Sequence, residues 1–78
     1  MTILTVSKSY NAIDVSFSDS KMNLILEDGR ELSVPLEWFP KLRNATKKEL
    51  RNWRFIGNGE GIHWEELDED ILIEKLFE

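Results

Sequence analysis

Apolar and polar residues alternate along three consecutive stretches in the first half of the chain. The apolar positions are Ile13, Val15 and Phe17, then Met22, Leu24 and Leu26, then Leu32, Val34 and Leu36. Alternation with a period of two predicts β-strands that have one apolar face and one polar face. Because a flat apolar face must be buried, the pattern predicts a small antiparallel meander that forms one wall of a core.

The first connecting loop predicts how the first two strands pair. A four-residue loop over 18–21 places Phe17 opposite Met22 and carries the pairing on to Ile13 and Leu26. All of the apolar side chains then share one face of the sheet. This register is preferred because a slip of one residue would turn a whole strand over.

The second loop has two alternatives, which differ by one residue. The Asp-Gly pair at 28–29 favours a two-residue hairpin, but that register would put Leu24 and Leu32 on opposite faces. A three-residue loop over 27–29 instead places Leu24 opposite Leu32. It requires a left-handed backbone at its third position, which Gly29 adopts without strain. We therefore predict the three-residue loop and a positive φ at Gly29.

Two short helices are predicted after the meander. Pro40 fits the first turn of a short helical segment. Thr46 and Glu49 have the spacing of a capping box, in which each side chain accepts a hydrogen bond from the other residue's backbone N–H. They begin a second helix, whose buried face would carry Leu50 and Trp53.

The last third of the chain is predicted to hold a glycine loop, a short extended or irregular segment and a final helical turn. Three glycines would end the preceding helix and form the loop: Gly57, Gly59 and Gly61. Asp68 or Asp70 can cap the final turn by accepting hydrogen bonds from backbone N–H groups. The apolar residues of that turn are Leu72, Leu76 and Phe77.

Together these elements predict an α+β fold. It is a small antiparallel β-meander of three or four strands, packed by short helices on one face. The fourth strand would be an edge strand that contains Ile3, Leu4 and Val6. At this length, residues 1–78 are expected to form a single domain.

The composition restricts the class of protein. The chain has no cysteine, which excludes disulfides, thiolate metal sites and cysteine nucleophiles. No apolar run approaches the roughly 18 residues of a membrane span. The N-terminus lacks the basic region and cleavage site of a signal peptide. We therefore expect a cytoplasmic protein with no membrane partner.

The net charge of −5 is unevenly distributed along the chain. Between residues 41 and 54 there are six basic residues and one acid, whereas residues 60–78 hold eight acids and one base. Two interpretations remain open. Either the two segments face each other or solvate the surface, or they are two recognition surfaces of opposite sign.

His63 and the acidic residues after it are the strongest candidates for chemistry. One histidine with several carboxylates could hold manganese, iron or magnesium, but the spacing matches no known metal signature. Paired carboxylates could act as general acid and base, but a chain this small has little interior in which to shift their pKa values. We predict no metal, no cofactor and no catalytic residue.

A protein-binding surface is the alternative interpretation of this segment. A partly exposed Trp64 beside His63 would be an interface anchor, because tryptophan is enriched among binding hot spots. The carboxylates of Glu65, Glu66 and Asp68 would attract a basic partner. The competing interpretation places Trp64 in the core with the other large aromatic residues, Trp38, Phe39, Trp53 and Phe55.

Three basic residues, Lys47, Arg51 and Arg54, form a stripe at helical spacing on the second predicted helix. Such a stripe could contact the phosphates of a nucleic acid. The chain, however, is acidic overall and has no pair of recognition helices. Direct nucleic-acid binding is therefore not expected of the isolated protein.

Two blocks of sequence resemble a known family. They are DGRELSVPLEWFPKLRNAT and NWRFIGNGEGIHWEELDEDILIEKL, and the resemblance spans residues 12–77. Both are similar to the bacterial domain-of-unknown-function family 2442; Glu65 departs from it, since many members carry proline there. The resemblance implies a small α+β fold. It also implies a partner protein encoded nearby, in an arrangement similar to a toxin–antitoxin pair.

The sequence therefore predicts a non-catalytic protein-protein interaction module, antitoxin-like or regulatory. One alternative is a nucleic-acid-associated regulator that uses the basic stripe. Another is a viral or mobile-element inhibitor of a nucleic-acid-binding defence protein, whose acidic tail imitates nucleic-acid charge. A homodimer is compatible with such a small core.

Overall fold

A computed structural model describes residues 9–77, which form two antiparallel three-stranded sheets and several short helices. The strands are β1 Ala12–Ser18, β2 Lys21–Leu26, β3 Glu31–Pro35, β4 Trp53–Ile56, β5 Gly61–Trp64 and β6 Glu69–Leu72. The helices are α1 Pro40–Arg43 and α2 Lys47–Arg51, with 3₁₀ turns at Leu36–Trp38 and Ile73–Phe77. The edge strand expected at Ile3, Leu4 and Val6 lies outside the described residues.

The first sheet has the order β1-β2-β3 and confirms the predicted meander. The first loop is shorter than predicted, because Ser18 also pairs with Lys21 and only two residues connect the strands. Phe17 lies opposite Met22 in the first hairpin, and Leu24 lies opposite Leu32 in the second. The second hairpin therefore has the three-residue loop. Gly29 has a φ of 94°, the left-handed backbone that this loop requires.

Substitution of Gly29 by valine should destabilise the protein through its backbone alone. An added Cβ would meet nothing within 4 Å, so packing adds no cost. A β-branched residue with left-handed φ should lower the free energy of unfolding by about 1–3 kcal/mol. Urea unfolding of Gly29→Val and Gly29→Asn measures this cost. Asparagine tolerates left-handed φ, so equal losses for the two variants would rule out backbone strain as the cause.

The pairing expected between Ile13 and Leu26 is wrong, because β1 contains a bulge. Ala12 lies opposite Leu26, and the register shifts between Ala12 and Asp14. The extra residue turns Ile13 outward, where it is 61% exposed, and buries Ala12 instead. The backbone N–H of Ala12 then donates to the carbonyl of Gly59 at 2.7 Å, which joins the first sheet to the second.

The second predicted helix is shorter than expected. The capping box of Thr46 and Glu49 is present, but α2 ends at Arg51. Trp53 lies on β4, opposite Trp64 of β5. Two aromatic residues and an isoleucine in four positions suit a strand, and pairing with β5 outweighs the continuing helical spacing of apolar residues.

The second sheet was not predicted. Its order is β4-β5-β6, and the glycine segment closes the β4–β5 hairpin instead of ending a helix. Gly57 and Gly59 have positive φ in that turn. The predicted helix caps are also wrong, because Asp68 lies in the β5–β6 loop with a φ of 50° and Asp70 lies on β6.

The two sheets and the helices share one cluster of buried residues. Its members are Ala12, Val15, Met22, Leu24, Leu26, Val34, Leu36, Leu42, Leu50, Ile62, Trp64, Ile71 and Ile73. The rings of Phe17 from β1 and Trp64 from β5 meet edge to face, with centroids 6.4 Å apart. The second sheet therefore contributes to the same core as the meander and the helices. None of the helices in residues 9–77 has the length and apolar character needed to cross a bilayer.

Candidate functional site

The outward face of the second sheet carries a row of charged side chains. Arg54 of β4 lies opposite His63 of β5, which in turn lies opposite Asp70 of β6. Because side chains alternate along a strand, the same register that places His63 on the outward face directs Trp64 into the core. The row is thus a direct consequence of the pairing of β5 with its two neighbours.

The imidazole of His63 contacts two carboxylates. Its Nδ1 forms a hydrogen bond with Asp70, and its Nε2 lies 2.6 Å from a carboxylate oxygen of Glu65. The same Glu65 oxygen lies 3.8 Å from the guanidinium of Arg54. Ionised carboxylates only accept hydrogen bonds, so both ring nitrogens must donate, which only the protonated ring can do. The geometry therefore indicates a histidine cation.

These contacts shift the pKa values of His63 and Glu65. The hydrogen bond to Asp70 is the largest cause that raises the pKa of His63 above its usual 6.5, followed by the hydrogen bond to Glu65. Desolvation and the Arg54 charge oppose this shift. The hydrogen bond from His63, in turn, lowers the pKa of Glu65 from its usual 4.5.

Stability should decrease as pH rises through the titration of His63. The folded pKa lies above the unfolded value of 6.5, so the contribution is complete below that pH and disappears as pH rises through the folded pKa. The measurement is urea unfolding of wild type and His63→Gln at pH values from below 6.5 to above the folded pKa, with an NMR titration of the His63 ring. We expect the free energy of unfolding of wild type to fall over this pH range, and that of the variant to stay constant. A His63 pKa at or below its usual value would contradict the ion-pair geometry.

The acidic groups around His63 do not converge on a common point. Each ring nitrogen is directed at a different carboxylate, whereas a metal site needs several ligand atoms around one centre. Within residues 9–77, no group of three or more His, Cys, Asp or Glu side chains is placed to hold a metal ion.

Trp64 is not partly exposed, which corrects its predicted role as an interface anchor. Its side chain is completely buried, and its indole Nε1 donates to the carbonyl of Leu50 at 3.0 Å. A partner cannot reach the ring without unfolding of the core. The competing interpretation, with Trp64 in the core, is confirmed.

Two other acidic residues of the segment connect the β5–β6 loop to the helices. Glu66 accepts a hydrogen bond from Nδ2 of Asn52 at 2.7 Å. The main-chain oxygen of Asp68 accepts one from Nζ of Lys41 at 3.0 Å. Both acidic side chains remain exposed.

The three basic residues do not lie on one helix, which corrects the predicted helical stripe. Lys47 and Arg51 lie one turn apart on α2. Arg54 lies on β4 and faces the carboxylate of Glu65. Only Lys47 and Arg51 therefore keep the predicted helical spacing.

The sequence pattern does not predict an exposed apolar groove that the structure contains. Trp38, expected in the core, is 61% exposed, and Leu72 is 48% exposed. They line a groove of about 550 Å³, the Trp38 groove, together with Phe39, Glu69, Asp70, Ile71, Lys75 and Leu76. The feature of the sequence that could have indicated the exposure of Trp38 is the short segment between Pro35 and Pro40. A 3₁₀ turn aligns Leu36 with Phe39 on one side, which leaves Trp38 on another.

Comparison with known proteins places the chain among uncharacterised relatives. A family model described as "Protein of unknown function (DUF2442)" matches residues 12–78. A crystal structure of a protein of unknown function from Rhodospirillum rubrum ATCC 11170 superimposes with a TM-score of 0.75 at 26% sequence identity. The match covers 86% of this chain and 83% of that chain. No curated protein matches.

Proposed function

We propose that this chain, which belongs to the DUF2442 family of proteins of unknown function, is a non-catalytic module that binds another protein. The partner would be encoded nearby, and the pair would act in an antitoxin-like or regulatory way. One observation supports this proposal above the others. An exposed tryptophan and an exposed leucine line a groove that also carries acidic side chains.

Trp38 takes the role of anchor for which Trp64 is too deeply buried. Binding energy at interfaces concentrates in a few large side chains, and tryptophan is prominent among them. Trp38 is 61% exposed in the free protein, so burial by a partner would remove a large apolar area from water. Leu72 extends the same apolar surface along β6.

The acidic side chains beside the groove indicate what kind of partner fits. Glu69 and Asp70 line the Trp38 groove, and Lys75 is the one basic lining residue among residues 9–77. Glu66 is exposed on the adjoining loop. A protein partner with basic residues around an apolar pocket would match this arrangement, with opposite charges guiding the encounter.

The environment of His63 supports a non-catalytic role. Both of its ring nitrogens are engaged by carboxylates of the same chain. A general base must instead offer a nitrogen to a substrate proton at hydrogen-bonding distance. His63 is therefore better suited to fixing β5, β6 and the loop between them than to proton transfer.

Removal of acidic charge near the groove should slow association with the partner. The test variant combines Glu66→Gln with Glu69→Gln, which leaves the contacts of His63 intact. We expect a several-fold lower association rate at low salt, and a weaker salt dependence, for binding to the product of the neighbouring gene. Stopped-flow kinetics at two salt concentrations measures both.

A matched control removes the same charge from the first sheet. Glu27→Gln with Glu31→Gln changes two exposed acids around the β2–β3 loop. This control should associate slightly more slowly than wild type, through net charge alone. Equal rates for the test and control variants would reject the acidic side of the Trp38 groove as a docking surface.

A further inference from the structure

A second groove lies between β1 and α2, and none of its described lining residues belongs to the Trp38 groove. It measures about 480 Å³, within the range of roughly 300–1,000 Å³ in which proteins bind ligands. Its apolar lining includes Phe17, Leu50 and Trp53, and its charged lining residues are Asp19, Lys47 and Arg51. We call it the α2 groove.

One border of the α2 groove is the edge of a sheet. β1 pairs with β2 alone among the described strands. The backbone N–H of Val15 is not bound by β2; it donates to the side chain of Asp14 at 2.9 Å. Because successive residues of an edge strand point their backbone groups alternately inward and outward, those of Phe17 face the same way as those of Val15. The outward backbone groups of Phe17 therefore border the groove and can accept another strand, whereas the Val15 N–H is already bound by Asp14.

The other border carries two cations that have no acidic partner among residues 9–77. Lys47 and Arg51 are exposed and make no ion pair with a described side chain, whereas Arg43 pairs with Glu37. In a chain of net charge −5, two such cations beside an apolar floor favour an anionic ligand. Asp19 at the hairpin end repels anions, so the favourable position lies toward α2.

We infer that the α2 groove binds an extended acidic segment of a protein partner. The segment adds to the edge of β1 as a further strand and directs its carboxylates at Lys47 and Arg51. Recognition of this kind obtains affinity from backbone hydrogen bonds and selectivity from alternate side chains. Two cations are too few to track a nucleic-acid backbone, since proteins that bind it typically neutralise more phosphates.

A synthetic peptide that alternates glutamate and valine is the direct probe. We expect it to bind the full chain at low salt and to slow hydrogen exchange at the amide of Phe17. A peptide that alternates lysine and valine should not bind. Lys47→Ala with Arg51→Ala should weaken binding of the acidic peptide roughly five- to tenfold, because each exposed charge contact contributes modestly.

A matched control separates the groove from overall charge. Arg43→Ala with Lys48→Ala also removes two positive charges, but neither residue lines the groove. It should bind the acidic peptide almost as well as wild type, and circular dichroism should show that both variants are folded. Equal weakening by the two variants would overturn the inference, as would the absence of any binding.

Other occupants give different results in the same experiments. A single-stranded oligonucleotide that binds more tightly than the peptide, and loses affinity in Lys47→Ala with Arg51→Ala, would overturn the inference in favour of nucleic acid. Protection of the Phe17 amide that increases with protein concentration would overturn the inference in favour of a second copy on the edge. Protection already complete in the dilute free protein would overturn it by showing that the chain covers its own edge.

Discussion

Replacement of Gly59 by alanine is expected to prevent the two sheets from joining. An added Cβ would lie 2.1 Å from the carbonyl oxygen of Ala12 and 3.0 Å from its nitrogen. Both are backbone atoms, so no flexible side chain can move aside. Gly59 also has a φ of 97°, which strains any residue with a Cβ.

The expected loss of stability in Gly59→Ala is large because steric overlap and backbone strain act at the same residue. Left-handed strain costs about 1–3 kcal/mol, and overpacking adds about 1–3 kcal/mol. The clash would also break the hydrogen bond from Ala12 to Gly59 that connects β1 with the β4–β5 turn. A small domain has about 5–15 kcal/mol of stability in total, so much of the protein should be unfolded or aggregated.

Gly29→Ala is the matched control for Gly59→Ala. Gly29 also has a positive φ, of 94°, but its Cβ would point into open space. The Gly29→Ala variant should lose about 1 kcal/mol of unfolding free energy, through backbone strain alone. Thermal unfolding followed by circular dichroism compares the two. If Gly59→Ala were no less stable than Gly29→Ala, the close approach of β1 to the β4–β5 turn would be refuted.

The second large effect is expected from Trp64. Trp64→Ala should lower the free energy of unfolding by about 3–5 kcal/mol, since it empties a large part of the core. Trp64→Phe should lose less, although it leaves the carbonyl of Leu50 without its indole donor, a loss of about 1–3 kcal/mol. The edge-to-face contact with Phe17 would weaken in both variants.

Trp38→Ala distinguishes a core tryptophan from a surface one. Trp38 is largely exposed, so its removal should change stability by no more than about 0.5 kcal/mol. Urea unfolding of the Trp38 and Trp64 variants provides the comparison. A stable Trp64→Ala beside an unfolded Trp38→Ala would reverse the assignment of the two residues.

The first sheet could be predicted because its signals are local. Each loop is a few residues long, and only one register keeps the apolar residues on one face. The left-handed glycine at position 29 follows from that register. The bulge in β1 could not be found in this way, because the hydrogen bond that accompanies it joins Ala12 to Gly59, far away in sequence.

The second sheet could not be predicted because its signals resemble those of helices. Trp53 and Arg54 continue the helical spacing of α2, and the acidic run up to Asp70 resembles a helix start. Strands of four residues carry too few positions to show alternation. Their stability comes from pairing between residues that are distant in sequence, which local propensity does not report.

The candidate site was predicted only in its composition. Glu65, Glu66 and Asp68 are exposed, but the contact of His63 with Asp70 depends on the pairing of β5 with β6. Trp38, expected in the core, is exposed, whereas Trp64, for which a core position and a partly exposed position were both considered, is buried. The burial of Trp64 follows only from its position on the inward face of β5. The exposure of Trp38 follows only from the geometry of the 3₁₀ turn.

Binding of the neighbouring gene's product to Trp38→Ala decides whether the Trp38 groove is an interaction surface. The matched control is Ile13→Ala, because Ile13 is also 61% exposed but lies on the first sheet. Isothermal titration calorimetry should show a Kd at least about 30-fold weaker for Trp38→Ala, as expected for loss of a hot spot of about 2 kcal/mol or more. Ile13→Ala should bind like wild type. Equal Kd values for the two variants, with both folded, would contradict a docking role for the Trp38 groove.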